Sequence, residues 1–213
     1  MLIATEGDES TGKSTMALSA PLPIVSLNFD MGWERAIKGA KHELFDGLDI
    51  KVIPYDRTKV EPDPTTADIT IYELPRPMQL DSEQIRGAKE LWGYFLIRIG
   101  EAFTDPRVRS IVVDTMTVAR RIKADAHLQK LQEDDVKQNK VTTRKQLIQI
   151  EYGAINDAIR DIWNTAAGVR KNFVGIHHLT DERMERPNSK GEVVSMLTGN
   201  KILEGLNNTY RFV

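Results

Sequence analysis

The sequence predicts an α/β fold in three layers, a mostly parallel sheet covered by helices on both faces. Three observations point there. Short apolar runs alternate with segments of helical periodicity along the chain, and that alternation implies crossover connections between parallel strands. The run Ser110-Ile111-Val112-Val113-Asp114 has the near-continuous apolar character of a strand buried on both sides. A glycine-flanked loop, Gly7 to Ser14, separates an apolar run from a helical one.

Taken in order, residues 2–5 are an apolar strand ending at Gly7, and residues 13–18 begin a helix that stops before Pro21 and Pro23. Residues 24–29 form a second strand ending at Asp30, 32–41 a helix, and 48–53 a short strand closed by Pro54. The proline-rich, polar stretch 56–67 is a surface loop. Residues 68–74 alternate and are β-branched, which predicts a strand. A long helix is expected from Asp81 or Ser82 to Ala102, because Ile85, Ala88, Leu91, Trp92, Phe95, Leu96 and Ile99 recur at helical spacing. The strand 110–114 follows, then a helix over 117–131 and a highly charged, conditionally ordered stretch over 133–145. An amphipathic helix over 147–167, a strand over 172–177 and terminal strands over 193–197 and 209–213 complete the chain.

At 213 residues the chain is expected to form one domain, 1–213, with 40% hydrophobic and 28% charged residues, ordinary values for a globular protein. Its 29 basic and 31 acidic residues leave a net charge of -2, which gives no global argument for nucleic acid or membrane binding. The absence of cysteine excludes disulfides, Cys-zinc sites and thiol catalysis. The phosphate-type loop starts so early that no signal peptide is expected, and no apolar run approaches the roughly 18 residues of a membrane span.

Gly7-Asp8-Glu9-Ser10-Thr11-Gly12-Lys13-Ser14 fits the G-x-x-x-x-G-K-[ST] pattern of the P-loop, which makes physical sense only between a strand and a helix. The glycines permit torsions and close approaches that a Cβ would obstruct, so successive N–H groups can surround an anion at a helix N-terminus. Lys13 is expected to reach the β- and γ-phosphates, Ser14 to place its hydroxyl on Mg²⁺, and Thr15 to meet the α-phosphate. Asp114, ending a buried strand, is the expected second metal-site residue, with helix capping as its bland alternative.

Hydrolysis needs a group that orients or deprotonates water, and three carboxylates compete for it: Glu83, Glu73 and Asp30. Each has a capping or solvated role as its alternative. His177 and His178 follow the strand ending at Ile176, where a polar residue can touch a γ-phosphate; adjacent strand residues face opposite ways, so at most one does so. His177 is the candidate of the two. His42 and His127 lack zinc-ligand spacing.

The loop Gly-Asp-Glu-Ser-Thr-Gly-Lys-Ser-Thr resembles the form used by RecA-type recombinases, with Asp8 in place of a proline and Ser14 of a threonine. Ser-Ile-Val-Val-Asp-Thr is similar to the magnesium-binding strand of that family, and Asp81-Ser82-Glu83-Gln84 resembles the place of its catalytic glutamate. The strand ending in His177-His178 resembles the one bearing its nucleotide-sensing glutamine, with a different residue. The layout is similar to phage-encoded nucleotide-binding proteins with a minimal RecA core, some of them single-strand annealing proteins, and this likeness extends through 196–201 and 210–213. It implies ATP and Mg²⁺ as cofactors, ATP hydrolysis in phage DNA recombination, and a place in the cytoplasm of a bacterial host. No Asn-Lys-x-Asp motif for guanine is present.

The same resemblance implies single-stranded DNA contact through residues 133–145 and 180–192. The first segment holds Lys137, Lys140, Arg144 and Lys145 against Glu133, Asp134 and Asp135; the second holds Arg183, Arg186 and Lys190 against Asp181, Glu182 and Glu185. Neither contains an aromatic platform for bases. Pro187 to Gly191 signals the tip of a protruding hairpin. An ATPase acting on a protein partner, and a nucleotide kinase, are the alternatives. A homo-oligomer is possible, with Arg170, Lys171 or Arg183 reaching a neighbouring subunit's γ-phosphate.

Overall fold

The computed structural model describes residues 1–8, 10–30, 32–38, 43–56, 58, 63, 66–75, 84–140, 144–187 and 193–204, side chains of 185–187 excepted. The strands are β1 Leu2–Gly7, β2 Ile24–Asn28, β3 Ile50–Pro54, β4 Ile69–Glu73, β5 Ser110–Asp114, β6 Asn172–Pro187 and β7 Val193–Leu203. The helices are α1 Lys13–Leu18, α2 Gly32–Lys38, α3 Ala88–Thr104, α4 Met116–Lys137 and α5 Tyr152–Gly168. Strand order is β1-β6-β5-β2-β4-β3, parallel at every pair, with β7 antiparallel to the outer half of β6.

Two separate apolar clusters make the three layers. On one face, Val25, Leu27, Tyr72, Ile111, Val113 and Phe173 pack under α3, α4 and α5. On the other, Ile24, Ile69, Ile71, Val112, Val174 and Ile176 pack under Ala17 and Leu18 of α1 and Ala36 of α2. Every residue of β2 and of β5 is buried, as their apolar runs imply for central strands. The predicted α/β architecture is therefore the observed one.

Several boundaries differ from expectation. The long helix begins at Ala88, not at residue 81 or 82; Gly87 adopts φ 82° and closes off the helix on its N-terminal side. The start of α3 is held from 40 residues away: Gln129 Oε1 accepts from Lys89 N, and Gln132 Oε1 accepts from Ile85 N, both at 3.0 Å. Residues 81–83 lie outside the described residues.

That same contact extends α4 to Lys137, through residues expected to be only conditionally ordered. Gln129 and Gln132 are buried, Glu133 accepts from Gln129 Nε2 at 2.8 Å, and Lys89 pairs with Glu133. The helix ends where Asn139 takes φ 55°. β6 and β7 outrun their expected lengths and form the antiparallel arms of the anticipated hairpin; residues 188–192, at its tip, and the expected strand 209–213 lie outside the described residues.

Candidate functional site

The loop between β1 and α1 turns on two glycines. Gly7 has φ 152° and Gly12 φ 83°, and a Cβ on Gly7 would stand 3.1 Å from Thr11 Oγ1. Thr11 Oγ1 donates to the Asp8 carbonyl at 2.9 Å, closing the turn. Lys13 Nζ curls back over the loop and donates to the carbonyl oxygens of Gly7, at 2.8 Å, and of Asp8. Ser10 lies in the left-handed region with φ 62°. Glu9 lies outside the described residues.

Across the sheet, register brings a polar row to the C-terminal ends of the strands. Asn28 on β2 is aligned with Asp114 on β5 and with Glu73 on β4. Ser14 Oγ donates to Asp114 Oδ2 at 2.6 Å, joining two motifs that are 100 residues apart in sequence. Asp114 is not the helix cap: Thr115 Oγ1 takes that place, accepting from Val118 N at 3.2 Å. Asp114 is 4% exposed. Burial pushes its carboxyl up to about 6, and nearby Asp30 adds to the rise; the Ser14 hydrogen bond and Lys13 act the other way.

Both described carboxylates proposed for water activation border the same cavity as the loop. Asp30 is positioned by its own backbone N–H, which donates to Asn28 Oδ1 at 2.8 Å, and its Oδ2 lies 3.8 Å from His178 Nε2. Glu73 is occupied differently: its Oε1 accepts from Trp33 Nε1 at 2.9 Å. Glu83 lies outside the described residues.

The two histidines separate by face. Val174 and Ile176 belong to the α1 side of β6 and Phe173 to the α5 side, so alternation turns His178 toward the loop and His177 away from it. His177 is fully buried, lies parallel to the Trp163 ring at 6.3 Å, and makes no hydrogen bond among the described residues. Burial, reinforced by neighbouring His178, lowers its imidazole to about 4. His177, the histidine expected to reach a phosphate, therefore faces away from the loop cavity, and His178, whose backbone N–H donates to Thr117 Oγ1 at 3.0 Å, borders it.

These groups enclose a cavity of about 640 Å³ at the C-terminal edge of the sheet, lined by Ser10 to Thr15, Asp30, Glu73, Asp114 and His178. The size suits a small-molecule ligand, and the edge is where open parallel α/β sheets bind theirs. The Ser14 hydroxyl and Asp114 carboxylate are hard oxygen donors suited to Mg²⁺. Among the described residues no three His, Cys, Asp or Glu side chains cluster as a metal cage. Mg²⁺ seldom needs such a cage, being held by one or two carboxylates plus substrate phosphates. Trp33, Arg35 and Asn28 also line the cavity and had no motif to announce them.

The segments expected to meet DNA are described in part. In the first, residues 133–137 are helical, Lys137 pairs with Asp134 at 3.5 Å and Arg144 pairs with Glu151; 141–143 lie outside the described residues. In the second, Arg183 is exposed and 188–192 lie outside the described residues; Lys201 of β7, beyond that segment, pairs with Asp8 of the loop. Lys171 donates to the carbonyls of Asp105 and of Val108, the latter at 2.8 Å. That position, with Arg170 beside it, is at the start of β6, the opposite end from His178. None of the described helices is long and apolar enough to cross a membrane.

Compared with protein-family models and with curated proteins, the chain matches no family model and no curated sequence.

Proposed function

We propose that the chain is a P-loop nucleoside triphosphatase that binds ATP with Mg²⁺ and hydrolyses it. The observation that carries this is the 2.6 Å hydrogen bond from Ser14 to Asp114, made inside a cavity that the glycine loop borders. A helix cap or a solvated strand end gives no reason for a nearly buried carboxylate to meet the residue that follows the loop lysine.

In this reading Lys13 leaves its loop carbonyls for the β- and γ-phosphates, Thr15 meets the α-phosphate, and Ser14 and Asp114 hold the metal. Mg²⁺ supplies charge neutralisation on the β- and γ-oxygens. Asp30 is the base that orients and deprotonates water. It has backbone positioning from Asn28 and its Oδ2 faces His178 beside the loop. His178, the last residue of β6 paired with β1 and opposite Gly7, would bond a γ-oxygen in this reading.

The resemblance of the loop and aspartate strand to RecA-type recombinases supports the use of this ATPase in phage DNA recombination or single-strand annealing. A second reading, an ATPase working on a protein partner, is favoured by one observation: Val193 and Leu197, on one face of β7, are 68% and 60% exposed, apolar groups better suited to protein than to phosphates.

Phosphate release from ATP tests the proposal, measured with and without single-stranded DNA at low and high salt, beside Lys13→Ala. Turnover by the wild type and none by the variant is expected, with DNA stimulation that fades as salt rises. DNA-independent turnover at both salts would move the assignment to the protein partner, and phosphate transfer to a nucleoside monophosphate to a kinase. Undiminished turnover by Lys13→Ala would refute the proposal.

A further inference from the structure

Arg35 lies in α2, the short helix after β2, and its side chain lines the cavity beside the loop. α2 sits directly against the start of α1: Thr15 Oγ1 donates to the Ala36 carbonyl at 3.4 Å, and a Cβ on Gly32 would meet Ser14 Oγ at 3.6 Å. Among the lysines and arginines of the described residues, only Lys13 and Arg35 border this cavity. Three carboxylates, Asp30, Glu73 and Asp114, border it too.

Among the described residues Arg35 forms no ion pair with a carboxylate, whereas several other arginines do. Arg98, Arg107, Arg121, Arg144 and Arg160 each pair with a carboxylate. On α2 itself the acidic neighbour Glu34 is taken by Lys38 at 2.6 Å, and no described carboxylate lies within ion-pair distance of Arg35. An exposed guanidinium with no carboxylate partner among the described residues, beside a phosphate-type loop, presents a fork of donors that matches phosphate oxygens two at a time. The excess of carboxylate around the cavity gives the site a use for a further cation, since one lysine and one Mg²⁺ offset only part of the charge of these acids and a polyanionic ligand.

We infer that Arg35 is a second phosphate-binding cation of this site, gripping the triphosphate chain from the α2 side while Lys13 grips it from the loop. The inference rests on the nucleotide reading above and deepens it. Arg35 acts on the phosphates, not on the base, and so contributes affinity for any ligand with a polyphosphate chain.

Equilibrium binding of ATP and of inorganic tripolyphosphate, each with Mg²⁺, to the wild type, Arg35→Ala, Arg35→Lys and Lys13→Ala tests it. Exposure of Arg35 leaves the fold of its two variants intact, and circular dichroism and a melting curve check this for all the variants. Arg35→Ala should weaken both ligands about tenfold to a hundredfold, the loss of a charge-assisted contact, and Arg35→Lys should recover part of it. Equal affinities for wild type and Arg35→Ala would overturn the inference while leaving the nucleotide site standing. A loss for ATP with tripolyphosphate unaffected would overturn it as well, by moving Arg35 to the base or ribose. Failure of the wild type to bind either ligand would remove the nucleotide reading and this inference together.

Discussion

Asp114 is placed at a cost to the protein that holds it. Burial raises its carboxyl to about 6 from 3.8, so between those pH values the folded chain keeps a proton that the unfolded chain has released. Stability therefore falls as pH rises through that window, by ~3 kcal/mol on this account. His177 works in the opposite sense: its folded value of about 4, against 6.5, means the unfolded chain takes up a proton that the folded one refuses, so stability falls as pH drops from 6.5 toward 4. The two contributions nearly offset each other in wild type. Asp114→Asn removes the first and exposes the second. Urea unfolding of the metal-free variant should show a gain of ~2 kcal/mol at pH 7 and a steeper loss on acidification than wild type; an unchanged pH profile would contradict the assignment. At the same scale, Asp30→Asn should cut turnover about a hundredfold or more with ATP affinity kept, as removal of a base does, whereas Glu73→Gln, whose partner is Trp33, should cost much less. Steady-state and binding measurements on the two variants separate them, and the reverse order would transfer the base to Glu73.

Among the elements, β6 shows what the sequence did and did not make legible. Its apolar run announced a strand, but a strand buried on both faces carries no period-two signal, so nothing local told which histidine faces the loop. The choice depends on α1 lying over Val174 and Ile176 and α5 over Phe173, a fact of packing. The start of α3 was hidden for a related reason: apolar spacing runs on through Ile85, while the glutamines that fix the boundary come from α4. Gly175 illustrates packing of another kind. A Cβ there would stand 2.5 Å from Trp163 Cζ2 and 2.9 Å from Met116 Cγ, so the glycine makes room for the indole. Gly175→Ala should destabilise by ~1–3 kcal/mol through overpacking. Gly93→Ala on the outer side of α3, where a Cβ meets nothing, should instead stabilise by ~0.5–1 kcal/mol. Denaturant midpoints of both variants check the pair, and equal effects would contradict it.

For the whole molecule, the parallel sheet collects at one edge residues that are scattered along the chain: Lys13 and Ser14 after β1, Asp30 after β2, Glu73 on β4, Asp114 on β5, His178 on β6. The loop and the aspartate were legible because each needs particular residue types in a particular order, and the alternation of elements fixed the layers. The pairing of strands was not, since β6 enters between β1 and β5 only by tertiary packing. The central claim is that this edge binds a nucleoside triphosphate with Mg²⁺ through Lys13 and Ser14. Calorimetric titration of ATP into wild type and Lys13→Ala, each with and without Mg²⁺, tests it most directly. Saturable binding by wild type that Mg²⁺ strengthens, with at least a tenfold loss in Lys13→Ala, is the predicted result; equal binding by the two proteins, or none by wild type, would contradict it.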